Sequence, residues 1–148
     1  MRVRDLAETY AIVTPETPAI EAVRRLAAER LPGLVVVDEH RRPLVVLPGS
    51  QVLRLGVPGY VQDDPALARV IDETHADVFL RELGDRTVAG CLPEHPPELP
   101  VVTEDDTVLE AAAMMARMRS PLVAVVDGGG AVVGVVTLHA LLDRVLSA

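Results

Sequence analysis

The chain has 148 residues, of which 49% are hydrophobic and 2% aromatic, and its formal net charge is −8. This length suits one ordinary domain or two very small ones, and no run approaches the roughly 18 continuous apolar residues that a membrane span requires. The acidity and the scarcity of aromatic rings argue against a nucleic-acid partner. The single cysteine, Cys91, excludes an intramolecular disulfide. Because the first residues lack the pattern of a secretion signal, we expect a cytoplasmic protein with no membrane partner.

The first predicted elements are a short strand and a helix. Residues 11–13 form an apolar run, and Ile20 and Val23 begin an apolar pattern at helical spacing. Thr17, followed by Pro18, has the chemistry of an N-cap and a first-turn proline. The pattern therefore predicts a helix that begins at this pair.

A β-hairpin and a second helix follow. Pro32 ends the first helix, because proline cannot continue the hydrogen-bond ladder. The aliphatic run at residues 34–37 is typical of a strand buried on both faces, and residues 44–47 form its hairpin partner. A closing helix is predicted over about residues 49–56.

The middle of the chain is a predicted linker helix over residues 63–85. Asp64 followed by Pro65 resembles a helix start, and the segment is markedly acidic. Two interpretations stay open for this helix. It is either a solvated amphipathic element or a docking face for a basic partner.

The remainder of the chain repeats the first pattern. Thr14 corresponds to Thr103 and Asp38 to Asp127, and the positions in both pairs differ by 89. This register holds without a gap over about forty positions. The chain therefore contains an internal duplication.

The second copy has the same predicted elements as the first. A short strand at residues 101–102 precedes a helix with Asp106 as its expected N-cap. A hairpin follows at residues 123–126 and 132–136, and a closing helix covers residues 138–146. Each copy is thus a β-α-β-β-α unit.

Two such units in tandem resemble a pair of cystathionine-β-synthase (CBS) domains, often called a Bateman module. The resemblance is strongest over Pro121-Leu-Val-Ala-Val-Val-Asp127 followed by Gly134-Val-Val-Thr137. The resemblance implies an α/β fold in which the two repeats pack about a pseudo-twofold axis. It divides the chain into repeat 1 (residues 1–62), the linker helix (63–85) and repeat 2 (86–148).

The resemblance also implies a function. In many members the clefts between the repeats bind AMP, ATP or S-adenosylmethionine, and the modules commonly pair into flat dimers. Such modules are regulatory parts of enzymes, channels or transporters. We therefore expect a stand-alone homodimer that acts on a separate, unknown regulated protein, needs no cofactor and takes an adenine nucleotide as regulatory ligand.

The ligand pattern of the family is incomplete in both copies. It consists of Gly, two apolar residues, Ser or Thr, two further residues and Asp. Gly134 and Thr137 match this pattern in repeat 2, but Ala140 stands where the family has Asp. Repeat 1 lacks all three, with Gln51 at the Asp position. Loss of a charged acceptor for the ribose hydroxyls predicts binding weaker by roughly 1.5–3 kcal/mol.

Further candidates come from the same resemblance. Arg30 and Arg119 match positions that contact phosphate in some members, although a solvated helix end near the negative pole of the dipole explains them equally. Thr137 is expected to be a phosphate ligand or a helix N-cap, two roles that do not exclude each other. His139 either borders the cleft or is an exposed residue at a helix start. The full candidate set is Arg30, Thr103, Arg119, Pro121, Leu122, Gly134, Thr137 and His139.

No enzyme or metal site emerges from the sequence. The four histidines lie in separate segments without an i,i+4 pair, and no nucleophile, base and orienting residue can be assembled. A second hypothesis therefore stands beside the nucleotide sensor. The chain is then a ligand-free dimerisation or docking scaffold whose nucleotide sites have degenerated.

Overall fold

A computed structural model describes residues 1–9, 11–57, 66, 76–95 and 98–147. Most of the predicted linker helix, including its expected start at Asp64, lies outside the described residues. Its described part is a helix, α3, at Ala76–Leu83.

Repeat 1 forms a three-stranded sheet with two helices. Its elements are β1 (Ile12–Val13), α1 (Ala19–Ala28), β2 (Gly33–Val37), β3 (Pro43–Pro48) and α2 (Gly49–Leu53). β2 lies in the centre, parallel to β1 and antiparallel to β3. All of β2 is buried, as its aliphatic run predicts. α2 is shorter than predicted.

Repeat 2 has the same architecture and a longer final helix. Its elements are β4 (Val101–Thr103), α4 (Val108–Met118), β5 (Leu122–Val126), β6 (Val132–Thr137) and α5 (Leu138–Ser147). The central strand β5 is again parallel to the first strand and antiparallel to the third. The predicted duplication of β-α-β-β-α units is confirmed.

The duplication extends to the strand register. Ile12 pairs with Val35 in the first sheet, and the equivalent Val101 pairs with Ala124 in the second. Both hairpins shift register just before the last residue of the central strand. The turn of each hairpin places its equivalent residue at positive φ, which is 62° for Arg41 and 87° for Gly130.

The predicted helix caps are wrong by one residue. Thr17 and Asp106 do not cap α1 and α4, and each instead closes the turn before its helix. The backbone N–H of Thr14 donates to the Thr17 hydroxyl at 3.0 Å, and that of Thr103 donates to the Asp106 carboxylate at 2.9 Å. Thr107, the next residue, caps α4 in a reciprocal capping box.

The two repeats pack against each other through their sheets. The shared apolar cluster contains Ala11, Val35, Val37, Leu122, Ala124, Val126, Val132 and Val135. At its edge, a Cβ placed on Gly33 would lie 2.7 Å from Leu122 Cδ2 and 2.4 Å from the Leu47 carbonyl oxygen. Gly33 and Leu122 occupy equivalent positions, so the leucine of one repeat fills the space left by the glycine of the other.

Two 3-10 helical turns are exchanged between the repeats. Val3–Asp5 binds to repeat 2, where its first N–H donates to the Asp106 carbonyl at 2.9 Å. Val88–Cys91 binds to repeat 1, where its first N–H donates to the Thr17 carbonyl at 2.9 Å. The predicted domain boundaries divide the chain in sequence order. In the structure, however, each repeat packs against a 3-10 turn that comes from the other part of the chain.

Candidate functional site

Thr137 ends β6 on the side of the sheet that faces the other repeat. Side chains alternate between the two faces of a strand. Val136 packs in the core of repeat 2 and Val135 in the cluster between the repeats, so Thr137 shares the face of Val135. Its partner across the sheet is Leu122, and its side chain is buried. The structure thus brings Thr137 and Leu122 together at the edge of the inter-repeat surface.

The Thr137 hydroxyl also caps the helix that follows it. The backbone N–H of Ala140 donates to Oγ1 at 3.2 Å, and the N–H of Leu138 donates to the Pro121 carbonyl at 2.8 Å. A hydroxyl carries one donor as well as its acceptor lone pairs. The cap uses an acceptor position, which leaves the O–H of Thr137 able to donate to an anion.

Gly134 faces away from the inter-repeat surface. A Cβ at this position would lie 2.8 Å from Ala7 Cβ and 3.3 Å from the Glu8 carbonyl oxygen. Glu8 and Val135 exchange two backbone hydrogen bonds, of 2.9 and 2.7 Å, which hold this segment alongside the free edge of β6. Glycine at this position is therefore explained by the close approach of the amino-terminal segment.

Thr103 lies at the other end of the same sheet. It pairs with Val126, the last residue of β5, whereas Thr137 pairs with Leu122, the first residue. Four residues of strand separate these pairs by roughly 13 Å, at the usual rise of a strand. The structure does not bring Thr103 together with Thr137.

Arg30 and Arg119 share an unusual backbone conformation. Each follows a helix and adopts the left-handed region, with φ of 51° and 52°. The N–H of the next residue closes each helix end, from Leu31 to the Leu26 carbonyl and from Ser120 to the Met115 carbonyl. Glycine is the usual residue at such a terminus. Both side chains are exposed, and neither guanidinium has a bonded partner within the described ranges.

A cleft of about 370 Å³ lies beside Arg119, where the two repeats meet. Residues from both repeats line it, namely Val46, Pro48, Glu98, Pro100, Arg117, Met118, Arg119 and Ser120. Arg117 is paired with Glu98 at 3.2 Å. Pro48 stands here at the position equivalent to Thr137, so this cleft lacks a threonine hydroxyl.

His139 points into solvent on the first turn of α5. Its ring nitrogen lies 3.4 Å from the Asp143 carboxylate, and both side chains are highly exposed. The described contacts place it on the helix surface, in agreement with an exposed residue at a helix start.

A cavity of about 570 Å³ was not predicted from the sequence. It lies between β3, α2 and the Val88–Cys91 turn, and Gln51, Arg54, Arg86 and Cys91 line its polar part. Burial raises the pKa of the Cys91 thiol, and nearby Arg54 opposes this effect. The thiol donates to the Gln51 carbonyl at 3.4 Å. A protonated thiol is a poor nucleophile, so the cavity provides no reactive cysteine at neutral pH.

Among the described residues, no cluster of three or more His, Cys, Asp or Glu side chains could hold a metal ion. No described helix has the length and apolar character of a membrane span.

The comparisons with known proteins agree with this geometry. The sequence model of the CBS domain matches residues 94–147. A CBS domain-containing protein of unknown function from Kribbella flavida is 53% identical, with 99% of each chain covered and a TM-score of 0.81. The chain therefore belongs to the CBS-domain family, and its fold is a tandem CBS pair. Among curated proteins, no sequence matches this chain.

More distant CBS pairs share the fold. CBSX2 of Arabidopsis thaliana, in complex with AMP, is 21% identical, with 99% of this chain and 96% of that chain covered and a TM-score of 0.66. The CBS domain pair of protein MJ0100, in complex with 5′-methylthioadenosine and S-adenosyl-L-methionine, is 20% identical, with 99% and 96% covered and a TM-score of 0.65.

Proposed function

We propose that this CBS pair is a regulatory protein that binds an adenosine nucleotide, or a related phosphate-bearing anion, in the cleft that Thr137 faces. Binding would change how the protein docks on a separate partner. The observation that carries the proposal is the pair of left-handed arginines, Arg30 and Arg119, at equivalent helix ends beside the inter-repeat surface.

The conformation of these arginines is energetically unfavourable. A left-handed residue with a Cβ costs about 1–2 kcal/mol relative to the right-handed conformation, and glycine would avoid most of this cost. The presence of a cationic side chain at both positions supports a guanidinium that binds an anion. The chain as a whole is acidic and repels anions. A guanidinium without a bonded partner provides a local positive charge that attracts phosphate.

The symmetry of the two repeats supports a position of Arg30 beside Thr137. The residue after Arg30, Leu31, packs into the inter-repeat cluster that contains Val135, two positions before Thr137. The equivalent relation places Arg119 beside Pro48 in the other cleft. With Arg30 in this position, the proposed site would combine a cation, a hydroxyl donor and the N-terminus of the ten-residue helix α5, all of which favour an anion.

The distant relatives support an adenosine ligand for this fold, since their complexes contain AMP, 5′-methylthioadenosine and S-adenosyl-L-methionine. The absent carboxylate at Ala140 predicts weak binding, about ten- to a hundred-fold below that of a site with the complete pattern. Substitution Ala140→Asp should restore the acceptor for the ribose hydroxyls and tighten binding by this factor.

Calorimetric titration with AMP, ATP and S-adenosylmethionine tests the proposal. We expect weak binding of at least one ligand by the unaltered protein, tighter binding by Ala140→Asp, and no gain from the matched control Gln51→Asp in repeat 1. Thr137→Ala should weaken phosphate-bearing ligands more than adenosine, and Thr137→Ser should restore them. No heat at millimolar concentration for all three ligands, with Ala140→Asp also silent, would reject the proposal.

A ligand-free scaffold is the second candidate function. The observation that favours it is the missing carboxylate in both repeats, where Gln51 and Ala140 stand at the equivalent positions. In that case the thermal stability would not change with any nucleotide, because only a ligand that binds the folded state raises it. A thermal-shift series at high nucleotide concentration separates the two candidates.

A further inference from the structure

The outer edge of the sheet is unpaired in repeat 1 at a position where it is paired in repeat 2. β3 and β6 are edge strands, and Val46 in β3 corresponds to Val135 in β6. Alternate residues of an antiparallel edge strand direct both backbone groups outward, and those of Val135 are bonded to Glu8. Val46 has the same register in its sheet. Within the described part of the chain, however, no residue bonds to its outward N–H and C=O.

Two differences in sequence explain the unpaired edge. Val45 stands at the position of Gly134, where a Cβ would lie only 2.8 Å from Ala7 Cβ. The valine side chain therefore keeps the corresponding segment of repeat 1 away from β3. That segment follows the Val88–Cys91 turn and continues into Pro93, which has no N–H to donate to a strand edge.

The space beside this edge is the cavity of about 570 Å³ between β3, α2 and the Val88–Cys91 turn. Residues 45–48 of β3 form one of its walls, and residues 90–93 form another. The volume lies within the range of about 300–1,000 Å³ that is typical of ligand pockets. A ligand in this cavity would therefore reach the unpaired backbone groups of Val46.

The charged lining of the cavity is cationic. Arg54 and Arg86 line it, and no carboxylate does so among the described residues. Arg86 is paired at 3.1 Å with Glu82, which lies outside the lining. Repeat 2 has Asp143 at the position of Arg54, so this positive charge is specific to repeat 1. In a chain of net charge −8, such a basic cavity favours an acidic ligand.

We propose that the unpaired edge of β3 binds an extended, acidic peptide segment of a partner protein. The segment adds a short strand to the sheet, and its backbone bonds to the N–H and C=O of Val46. Its carboxylates pair with the guanidinium groups of Arg54 and Arg86. The chain itself shows that this edge geometry accepts an added segment, because Glu8 pairs with Val135 in the same way in repeat 2.

The proposed peptide site is separate from the proposed nucleotide site. No residue that lines the cavity is among the residues proposed to contact a nucleotide. The cavity belongs to repeat 1, whereas the nucleotide cleft is assigned to the side of Thr137 in repeat 2. Failure of one proposal therefore leaves the other standing.

Synthetic peptides test the chemistry of the ligand. A fluorescein-labelled Val-Glu-Val-Glu-Val peptide combines acidic side chains with high β propensity, and its fluorescence anisotropy should rise on titration with the protein. The matched Val-Lys-Val-Lys-Val peptide should bind at least about tenfold more weakly, because its charges are repelled by the two arginines. Equal binding of the two peptides, or no binding of either at millimolar protein concentration, would overturn the proposal.

Charge reversal in the protein tests the location of the site. Arg54→Glu and Arg86→Glu should each weaken binding of the acidic peptide by roughly tenfold. The matched control is Arg24→Glu, which makes the same change of charge at an exposed position of α1 and should bind the peptide as the unaltered protein does. Circular dichroism should show all three variants folded, and nucleotide titration should be the same in all three. An equal loss of peptide binding in the control would reject this site.

Amide hydrogen exchange, followed by NMR, tests the backbone pairing without any substitution. A saturating amount of the acidic peptide should slow exchange of the Val46 N–H by at least about tenfold, because the peptide gives it a hydrogen-bond acceptor. The Val135 N–H is the internal control, since it already donates to the Glu8 carbonyl at 2.7 Å and its exchange should not change. Unchanged exchange at Val46 in the presence of bound peptide would overturn the proposed strand addition.

Discussion

The two repeats have the same backbone arrangement, and they differ at the ends of their strands and on their outer helices. Strand order, register and hairpin irregularity are the same in both sheets. The last strand, however, ends with Pro48 in repeat 1 and with Thr137 in repeat 2, and the final helix has five residues in one and ten in the other. The outer helical surface is covered by α3 in repeat 1 and exposed in repeat 2.

This difference shows which parts of a duplicated fold are free to diverge. The buried strands must keep their register, because a shift by one residue would expose their apolar faces. Residues at strand ends and on outer helix faces are under no such constraint. The cleft that is proposed to bind a nucleotide and the exposed apolar face of α5 are both located there, on repeat 2.

The largest predicted effect concerns the interlocking of Gly33 with Leu122. Gly33→Ala should lower the free energy of unfolding by about 3 kcal/mol, because the new Cβ would overlap a backbone oxygen that cannot move alone. The matched control is Gly128→Ala, where a Cβ would have no neighbour within 4 Å and the expected change is about 0.5 kcal/mol or less. Urea unfolding measures both. Equal effects at the two glycines would show that the close approach of Leu47 and Leu122 to Gly33 is not important for stability.

A smaller effect is expected at the left-handed arginines. Arg30→Gly and Arg119→Gly should each be about 1 kcal/mol more stable than the corresponding alanine variant, because glycine alone relieves the Cβ contact. The two arginines should differ in function, since Arg30→Gly should weaken nucleotide binding and Arg119→Gly should not. Thermal unfolding and calorimetry check the two parts. If only the Arg119 variant lost nucleotide binding, the binding site would have to be assigned to the Pro48 cleft instead.

The smallest predicted effect is a difference between the repeats in how their contribution to stability depends on pH. The backbone N–H of Thr103 holds the pKa of Asp106 below its usual value of 3.8, whereas the equivalent Thr17 does not titrate. A lowered folded-state pKa means that the carboxylate stabilises the fold above the unfolded pKa and that this contribution disappears as the pH falls through the folded pKa. Because solvent screens the charge of Asp106, we expect this carboxylate to contribute only about a few tenths of a kcal/mol to the free energy of unfolding.

Urea midpoints between about pH 2 and pH 6, on either side of the usual carboxyl pKa, measure this contribution. Asp106→Thr, which copies the hydroxyl of repeat 1, should reduce the loss of stability at acid pH. An identical pH profile for the variant and the unaltered protein would contradict a role for this carboxylate.

The sequence by itself determined the fold, whereas the class of site that it predicts stays a prediction. Aliphatic runs bounded by Pro32 and Pro121 specify buried central strands, and the constant offset of 89 positions specifies two copies of one unit. These signals are local or periodic, so they can be read without knowing which residues meet in space. The position of Thr137 at the end of a strand is likewise predicted from a local pattern.

The tertiary structure decided which residues lie together. The strand pairing separates Thr103 from Thr137, and the amino-terminal segment that pairs with the free edge of β6 explains Gly134. The resemblance names Arg30 and Arg119, but only the structure shows their left-handed backbone, because a positive φ at a residue other than glycine has no signature in the sequence. The cover that α3 gives to repeat 1, and its absence from the described surface of repeat 2, likewise depend on long-range packing rather than on local pattern.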